Sequence, residues 1–244
     1  IGKVIISVYT ELTKLHARLD RCFFMIVNPE NLGINWWMAG EEGLLDENGL
    51  AAICDNGVWG NKAVKEAGIF GPVKVVSDTS DKKHTYINKQ LDVPANTTYL
   101  HITTNNTVEG TQWHQYPQTN ALLVGDMSSD IFCRPTAFNQ FDLIYAGAQK
   151  NMGAAGVTIV VVKKEILGKV NRKIPAILDY KKHIDAGSLL NTPPVFSIYV
   201  SLLTLRWMEA QGGLVEMGKR NNAKAQLLYD TIDSLPAFHC PIAK

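Results

Sequence analysis

The sequence predicts an α/β protein with a mostly parallel β-sheet in a large domain and helices on both faces of the sheet. Three observations lead to this fold class. From about residue 56 onward, short apolar runs rich in β-branched residues alternate with helix-like stretches. Within these runs the apolar residues do not alternate with polar ones, which is typical of strands covered on both faces. The chain has 244 residues, 46% of them hydrophobic and 19% charged, which suits one large domain and part of another.

The first 50 residues give no clear architecture. Leu12–Leu19 is compatible with an amphipathic helix, but residues 28–49 mix tryptophans, acidic residues and glycines without a regular period. Residue 1 is isoleucine rather than methionine, so we expect the native protein to begin further upstream. We therefore leave residues 1–50 unassigned and start the predicted large domain at residue 51.

Residues 51–214 are predicted to form this large domain. Its first helix is expected at Asn61–Ala67, a polar, alanine-containing segment that ends near two glycines. The β-branched and aromatic content then predicts a series of strands in chain order. These strands are Val73–Val76, Tyr99–Thr103, Leu122–Val124, Leu143–Tyr145 and Val157–Val162.

Two helices are predicted in the last third of the chain. The first spans Val195–Gln211, begins after a pair of prolines and ends at Gly212-Gly213. The second spans about Val215–Asp233. We expect the apolar stripe of each helix to pack in the core. The stripes are Phe196, Val200, Leu203 and Trp207 on the first helix, and Ala225, Leu228, Tyr229 and Ile232 on the second. Residues 215–244 are predicted to begin a smaller, truncated domain.

Composition and charge exclude several classes of protein. With 24 basic and 23 acidic residues the net charge is +1, so we expect no nucleic-acid partner and no binding to a membrane. No apolar run approaches the roughly 18 residues of a membrane-spanning helix. The cysteines are widely separated and match no metal-binding spacing, which predicts no metal site and mostly buried thiols in a reducing, cytoplasmic setting. They are Cys22, Cys54, Cys133 and Cys240.

Residues that can carry chemistry follow three of the predicted strands. Asp126 and Lys150 each come shortly after a strand, and Thr104–Thr107 follows another. Ligands of parallel sheets bind beyond the carboxyl ends of the strands, so we expect an acid, a lysine and a hydroxyl at one edge. Pyridoxal phosphate enzymes pair a lysine in a low-dielectric pocket with an aspartate on the ring nitrogen. On pattern alone, however, such residues are more often helix caps or surface charges.

A series of motifs resembles the phosphoserine aminotransferase family. The motifs are Asn-Gly-Val-Trp at 56–59, Thr-Asn-Asn-Thr at 104–107, Asp-Met-Ser-Ser-Asp-Ile at 126–131, Gly-Ala-Gln-Lys-Asn at 147–151 and Asn-Thr-Pro-Pro at 191–194. Each motif is short, but the ordered series is specific, and it runs from about residue 51 nearly to the end. The resemblance implies a fold-type-I transferase that uses pyridoxal 5'-phosphate (PLP) as its cofactor.

The resemblance also implies a role for each residue at the strand ends. Lys150 would hold the cofactor aldehyde and move the proton at the substrate Cα, and Asp126 would pair with the pyridine nitrogen. Trp59 would stack on the ring, Thr107 would hydrogen-bond near the phenolic oxygen, and Gln149 would contact the cofactor phosphate. Taken singly, Trp59 is also compatible with a core aromatic residue and Thr107 with a turn hydroxyl.

The implied enzyme is a homodimer whose subunits share their active sites. Asn191 and Thr192 would reach the cofactor phosphate of the neighbouring subunit, although Asn191 alone is compatible with a helix cap. The reaction would be transamination between glutamate and 3-phosphohydroxypyruvate, a step of serine biosynthesis with a link to pyridoxine biosynthesis. Two alternatives stay open. One is another fold-type-I enzyme, such as a different aminotransferase or a cysteine desulfurase relative. The other is a truncated fragment that dimerises without turnover.

The N-terminal segment departs from the resemblance. The family has a glycine-rich phosphate cradle upstream of the tryptophan motif, whereas Asn28–Ile34 has one glycine and the acidic Glu30, which would repel a phosphate. The family's N-terminal Ser-His-Arg segment and its C-terminal substrate arginine have no counterpart here. Three explanations stay open: a fragment or wrongly reported sequence of an ordinary enzyme, an alternative or frameshifted product that binds cofactor poorly, or a domain with a new phosphate site.

Overall fold

A computed structural model of the chain describes residues 22–25, 44–46 and 48–242. The strands are β1 (Cys22–Met25), β2 (Leu50–Asp55), β3 (Val73–Asp78), β4 (Thr97–Thr103), β5 (Asn105–Asn106), β6 (Thr111–Gln112), β7 (Leu122–Asp126), β8 (Leu143–Gly147) and β9 (Thr158–Val162). The α-helices are α1 (Val58–Phe70), α2 (Tyr180–Asp185), α3 (Val195–Ala210) and α4 (Gly213–Ser234). Seven strands form one sheet in the order β1-β9-β8-β7-β4-β2-β3, and β5 and β6 form a separate hairpin.

The large sheet is mostly parallel, as the sequence predicts. Strands β3, β2, β4, β7 and β8 all run in the same direction. The predicted strand at Val157–Val162 is present as β9, but it is antiparallel to β8 and to β1. A parallel pair needs a crossover connection of about a dozen residues or more, usually with a helix. Residues 148–157 form a short connection of turns, so the chain reverses direction there.

Strand β2 has no counterpart among the predicted strands, although it lies inside the sheet between β3 and β4. Its sequence, Leu-Ala-Ala-Ile-Cys-Asp, contains two alanines, which have low strand propensity. Ala51, Ala52 and Ile53 are nevertheless fully buried. Small side chains suit this place, because helix α1 packs directly against the strand. The position of β2 therefore depends on its neighbours rather than on its own composition.

Both faces of the sheet are covered, which confirms the predicted α/β layering. On one face, Ala63 and Ala67 of α1 pack in a core with Ile53 and Val124. On the other face, α3 and α4 pack in a second core. The residues that they contribute are Ile198, Leu202, Leu205 and Met208 from α3, and Leu214 and Met217 from α4.

The two predicted C-terminal helices are present, but the expectation that their apolar stripes form core is wrong. Phe196, Leu203 and Trp207 of α3 are 75%, 44% and 51% exposed. Helix α3 is apolar around most of its circumference, so periodicity alone cannot say which face turns inward. On α4, Leu228 is exposed as well. The predicted domain boundary at residues 214 and 215 falls in the first turn of α4, and the assignment of a second domain stays a prediction.

The cysteine thiols of the described part of the chain form no disulfide. Cys54 is buried, as expected, and burial raises the pKa of its thiol to about 12. Cys133 and Cys240 are only partly buried, which corrects the expectation for these two. The side chain of Cys22, and the segments Leu12–Leu19 and Asn28–Ile34, lie outside the described residues. No helix in the described ranges has both the length and the apolar character needed to cross a bilayer.

Candidate active site

Three parallel strands bring polar residues to one edge of the sheet. Thr103 at the end of β4 lies beside Asp126 at the end of β7, and Asp126 lies beside Tyr145 of β8. A cavity of about 310 Å³ opens at this edge. Such a volume is at the lower end of the range of small-molecule sites. The residues that line it are Trp59, Lys62, Thr103, Asn105, Asp126, Ser128, Ser129, Gly147, Gln149 and Lys150.

Asp126 places a buried carboxylate at the floor of the cavity, because it is the last residue of β7 and only 5% exposed. Its Oδ1 accepts a hydrogen bond of 2.9 Å from the backbone N–H of Ser128. Burial raises the pKa of the Asp126 carboxyl, while the bonds from Ser128 and the charge of Lys150 oppose that rise. A cation placed against this carboxylate would favour its ionised form.

Lys150 lies in the turn that follows β8, and its amine faces the same cavity. Its Nζ lies 5.2 Å from the centroid of the Trp59 ring, within the range of a cation–π contact. The pattern of a lysine at a strand end suggests a low-dielectric pocket, but Lys150 is exposed in this structure. Its amine is therefore accessible to a molecule that enters the cavity.

Trp59 is the second residue of α1 and stands half-buried at the cavity wall. It lies at the surface of the site and not in the core, so the core-aromatic alternative is wrong. Its indole Nε1–H donates a hydrogen bond of 3.1 Å to Thr107 Oγ1. Thr107 is thus next to the site through Trp59, although it is absent from the described residues that line the cavity.

Gln149 lines the cavity beside Lys150 and folds over the end of β8. A Cβ atom at Gly147 would lie 2.5 Å from Gln149 Oε1, so the Gln149 side chain lies directly over this glycine. Asn191 and Thr192 lie in the loop before α3, and neither is among the described residues that line this cavity. The N-cap of α3 is Pro194, which excludes Asn191 as its cap.

The sequence reasoning missed several residues of the cavity. Lys62 stands three residues after Trp59, one turn along α1, and its Nζ lies 4.5 Å from the Trp59 ring centroid. Helical spacing could have found it. Ser128 and Ser129 come two and three residues after Asp126 and lie within one of the quoted motifs. Asn105 lies within another quoted motif, and Thr103, the last residue of the predicted strand Tyr99–Thr103, is placed beside Asp126 by the pairing of β4 with β7.

These residues fit a planar, nitrogen-containing aromatic cofactor that carries an aldehyde. The fit rests on three different groups at one cavity: an indole ring, a buried carboxylate and an accessible amine. Trp59 would hold the ring, Asp126 its nitrogen and Lys150 its aldehyde. Asn28–Ile34, where the family has its phosphate cradle, lies outside the described residues. No group of three metal-ligating side chains occurs in the described part of the chain.

The chain is similar to phosphoserine aminotransferases among both curated proteins and solved structures. The chain is 56% identical over 195 residues to a phosphoserine aminotransferase of Flavobacterium johnsoniae, covering 80% of this chain and 55% of that protein. It is 46% identical over 239 residues to a phosphoserine aminotransferase of Geobacillus kaustophilus, covering 94% and 66%. The PLP-bound crystal structure of phosphoserine aminotransferase from Trichomonas vaginalis matches with a TM-score of 0.87 at 26% identity, covering 98% of this chain and 68% of that one.

These matches cover most of this chain but a smaller share of each curated relative. The chain spans about half the length of the first curated relatives that it matches. The model of the aminotransferase class-V family matches residues 34–243, and so begins before the motifs that carry the resemblance. The chain has the fold of these aminotransferases, and its cavity at the sheet edge is lined by a tryptophan, an aspartate and a lysine. It therefore belongs to the aminotransferase class-V family.

Proposed function

We propose that this chain is the PLP-binding part of a phosphoserine aminotransferase. Glutamate gives its amino group and 3-phosphohydroxypyruvate receives it, which yields 2-oxoglutarate and O-phospho-L-serine. This reaction is the transamination step of serine biosynthesis. The observation that carries the proposal is the meeting of Lys150, Asp126 and Trp59 at one cavity in a chain of the class-V family. The choice of substrate is supported by the names of the relatives at 46–56% identity.

Each residue of the site has a task in this proposal. When bound, PLP supplies an electron-accepting ring that stabilises negative charge at the substrate Cα. Asp126 holds a proton on the ring nitrogen through its carboxylate, and the hydrogen bond from Ser128 fixes the orientation of that carboxylate. Trp59 covers one face of the ring and excludes water from it. The Lys150 amine binds the aldehyde and, once released, carries the proton to and from the substrate Cα.

The active form is proposed to be a homodimer with shared sites. Asn191 and Thr192 come just before α3 and do not line the cavity of their own chain among the described residues. The outward face of α3 carries Phe196, Leu203 and Trp207, an apolar surface of the kind that marks an interface. A partner on this face would carry the Asn191 loop to its own cofactor phosphate. A cytoplasmic location is proposed on the thiols of Cys54, Cys133 and Cys240, which form no disulfide.

The first experiment adds PLP to the full chain and records the visible absorbance band of lysine-bound cofactor. We expect the band in the wild type and its loss in Lys150→Ala, because the amine that holds the aldehyde is removed. Lys164→Ala is the matched control, since Lys164 is an exposed lysine outside the cavity. A band that survives in Lys150→Ala would contradict the assignment of Lys150.

The second experiment measures 2-oxoglutarate release from glutamate with 3-phosphohydroxypyruvate or with pyruvate as acceptor. We expect turnover with the phosphorylated acceptor and much less with pyruvate. Turnover with pyruvate alone would favour a different aminotransferase. A chain that shows the absorbance band but turns over neither acceptor would be the alternative, a PLP-fold fragment without catalysis.

A further inference from the structure

The hairpin formed by β5 and β6 contacts the first turn of α1 at two points. Thr107 Oγ1 accepts the hydrogen bond from the Trp59 indole, as described above. Two residues later, Glu109 Oε1 accepts a hydrogen bond of 2.8 Å from the backbone N–H of Val58. Val58 is the first residue of α1 and the direct neighbour of Trp59. The hairpin thus contacts both the backbone that carries Trp59 and the ring itself.

Glu109 lies closely against the start of the helix. Gly57 has a φ of 153°, and a Cβ atom there would overlap the Glu109 carboxylate. The other oxygen, Oε1, takes one of the N–H groups that a helix leaves without an internal partner at its N-terminus. The N-cap residue, Gly57, has no side chain with which to cap this helix. The carboxylate of Glu109 supplies the cap from a distant segment, at the end of the helix that favours negative charge.

The hairpin that carries Glu109 is itself fixed to the site. Asp130, in the segment after β7, accepts hydrogen bonds from Thr104 at 2.5 Å and from Gln112 at 3.2 Å, on either side of the hairpin. Asn105 donates to Ser129 Oγ at 2.9 Å, and Ser129 Oγ donates back to the Asn105 carbonyl. These hydrogen bonds hold the hairpin, and with it Glu109, against the segment that follows Asp126. The bond between Glu109 and the Val58 N–H then links the start of α1 to that segment.

We propose that Glu109 is a positioning residue that holds Trp59 against the cofactor by accepting the hydrogen bond from Val58. This role rests on the proposed function, in which Trp59 stacks on the PLP ring. Glu109 does not line the cavity among the described residues, so it acts through the helix start and not by contact with the ligand. The acceptor oxygen is what matters, and glutamine at this position keeps it.

The test compares Glu109→Ala with Glu109→Gln in the full chain. We expect Glu109→Ala to weaken PLP binding by about three- to tenfold, the range of a lost helix cap, and Glu109→Gln to stay near the wild type. Glu165→Ala is the control, because Glu165 is an exposed acidic residue that does not line the cavity. In a Trp59→Ala background, Glu109→Ala should have no further effect on PLP affinity. Additive losses, or equal losses in the Ala and Gln variants, would overturn the proposal.

A measurement without cofactor separates this inference from the proposed function. In the cofactor-free protein, the indole N–H resonance of Trp59, assigned with Trp59→Phe, should shift and exchange faster in Glu109→Ala than in Glu109→Gln. An unchanged indole resonance in Glu109→Ala would overturn the inference. Failure of the wild type to bind PLP would instead overturn the proposed function. If Glu109→Ala does not fold, Glu109→Met removes the acceptor at similar length and takes its place.

Discussion

The Asp126 carboxylate shows how position decides chemistry at the scale of one residue. Asp126 is the last residue of β7, is 5% exposed and accepts a hydrogen bond from the backbone N–H of Ser128. Burial raises the pKa of its carboxyl, with Lys150 acting in the opposite sense. A raised pKa means that Asp126 takes up its proton at a higher pH than an exposed aspartate does. The carboxylate that is to pair with a protonated ring nitrogen is therefore lost as the pH falls toward that value.

This sets an expected pH dependence for cofactor binding. PLP affinity of the wild type should decrease as the pH is lowered from about 8, and at a higher pH than an exposed aspartate would cause, because Asp126 becomes protonated. Asp126→Asn should weaken PLP binding by about tenfold or more at the upper pH, as expected for loss of a hydrogen bond to a charged group. The difference between the two proteins should shrink at low pH. A constant ratio of the two dissociation constants across this range would contradict the role of Asp126, since titration of the cofactor phosphate affects both proteins alike.

At the scale of elements, the approach of α1 to β2 positions the site. A Cβ atom at Gly60 would lie 2.6 Å from the Cys54 carbonyl oxygen and 3.1 Å from the Asp55 Cα. Helix α1 therefore begins at a distance from β2 that only glycine permits. Because Trp59 immediately precedes Gly60, the same contact fixes how far the ring extends over the sheet edge.

Two glycines of α1 provide a matched pair of variants. Gly60→Ala should destabilise the protein by about 1–3 kcal/mol, the cost of overpacking against backbone that cannot move aside. It should also weaken PLP binding, because Trp59 is displaced with the helix. Gly68→Ala meets nothing within 4 Å and should stabilise the same helix by about 0.5–1 kcal/mol. Urea unfolding measures both effects, and equal free energies of unfolding for the two variants would argue against the close packing of α1.

At the scale of the whole molecule, α3 presents two apolar faces. Ile198, Leu202 and Leu205 pack on the sheet, while Leu203 and Trp207 point outward. A helix that is apolar on both sides is usually covered on both. The proposed homodimer covers the outward face with a second copy and places the Asn191 loop beside the partner's site.

The dimer can be tested by introducing charge on the outward face of α3. Trp207→Glu should shift the protein from dimer to monomer in light scattering and should lower PLP affinity, because the partner's Asn191 and Thr192 are lost from the site. Leu228→Glu is the matched control on α4, where Leu228 is 58% exposed against 51% for Trp207. Dimers that persist in Trp207→Glu, or a monomeric wild type, would exclude this interface.

Most of the element types could be predicted from the sequence, and the failures have identifiable causes. Strand propensity finds β3, β4, β7, β8 and β9, because each has several β-branched or aromatic residues in sequence. It misses β2, since alanines in a strand signal close packing by α1 rather than strand formation. It cannot give the direction of β9, which depends on the short connection through residues 148–157.

The candidate site divides in the same way. Asp126 and Lys150 could be found because each follows a recognisable strand, and the motifs around them resemble a known family. Lys62 and Glu109 were missed, because neither stands in the motifs as a reactive residue. Their importance comes from the contacts that they make in the folded chain. Lys62 makes a cation–π contact with the ring of Trp59, and Glu109 accepts a hydrogen bond from the N–H of Val58.

The sequence by itself determined the α/β class, the order of most strands and helices, and the identity of the lysine and aspartate at the strand ends. These features are local, since propensity and short motifs record them in neighbouring residues. Only the tertiary structure decided that β9 runs antiparallel, that α3 turns Trp207 outward, and that the hairpin of Glu109 supports Trp59. Those outcomes depend on contacts between residues far apart in the chain. A residue's own neighbours in sequence do not encode which distant group will bury it or hydrogen-bond to it.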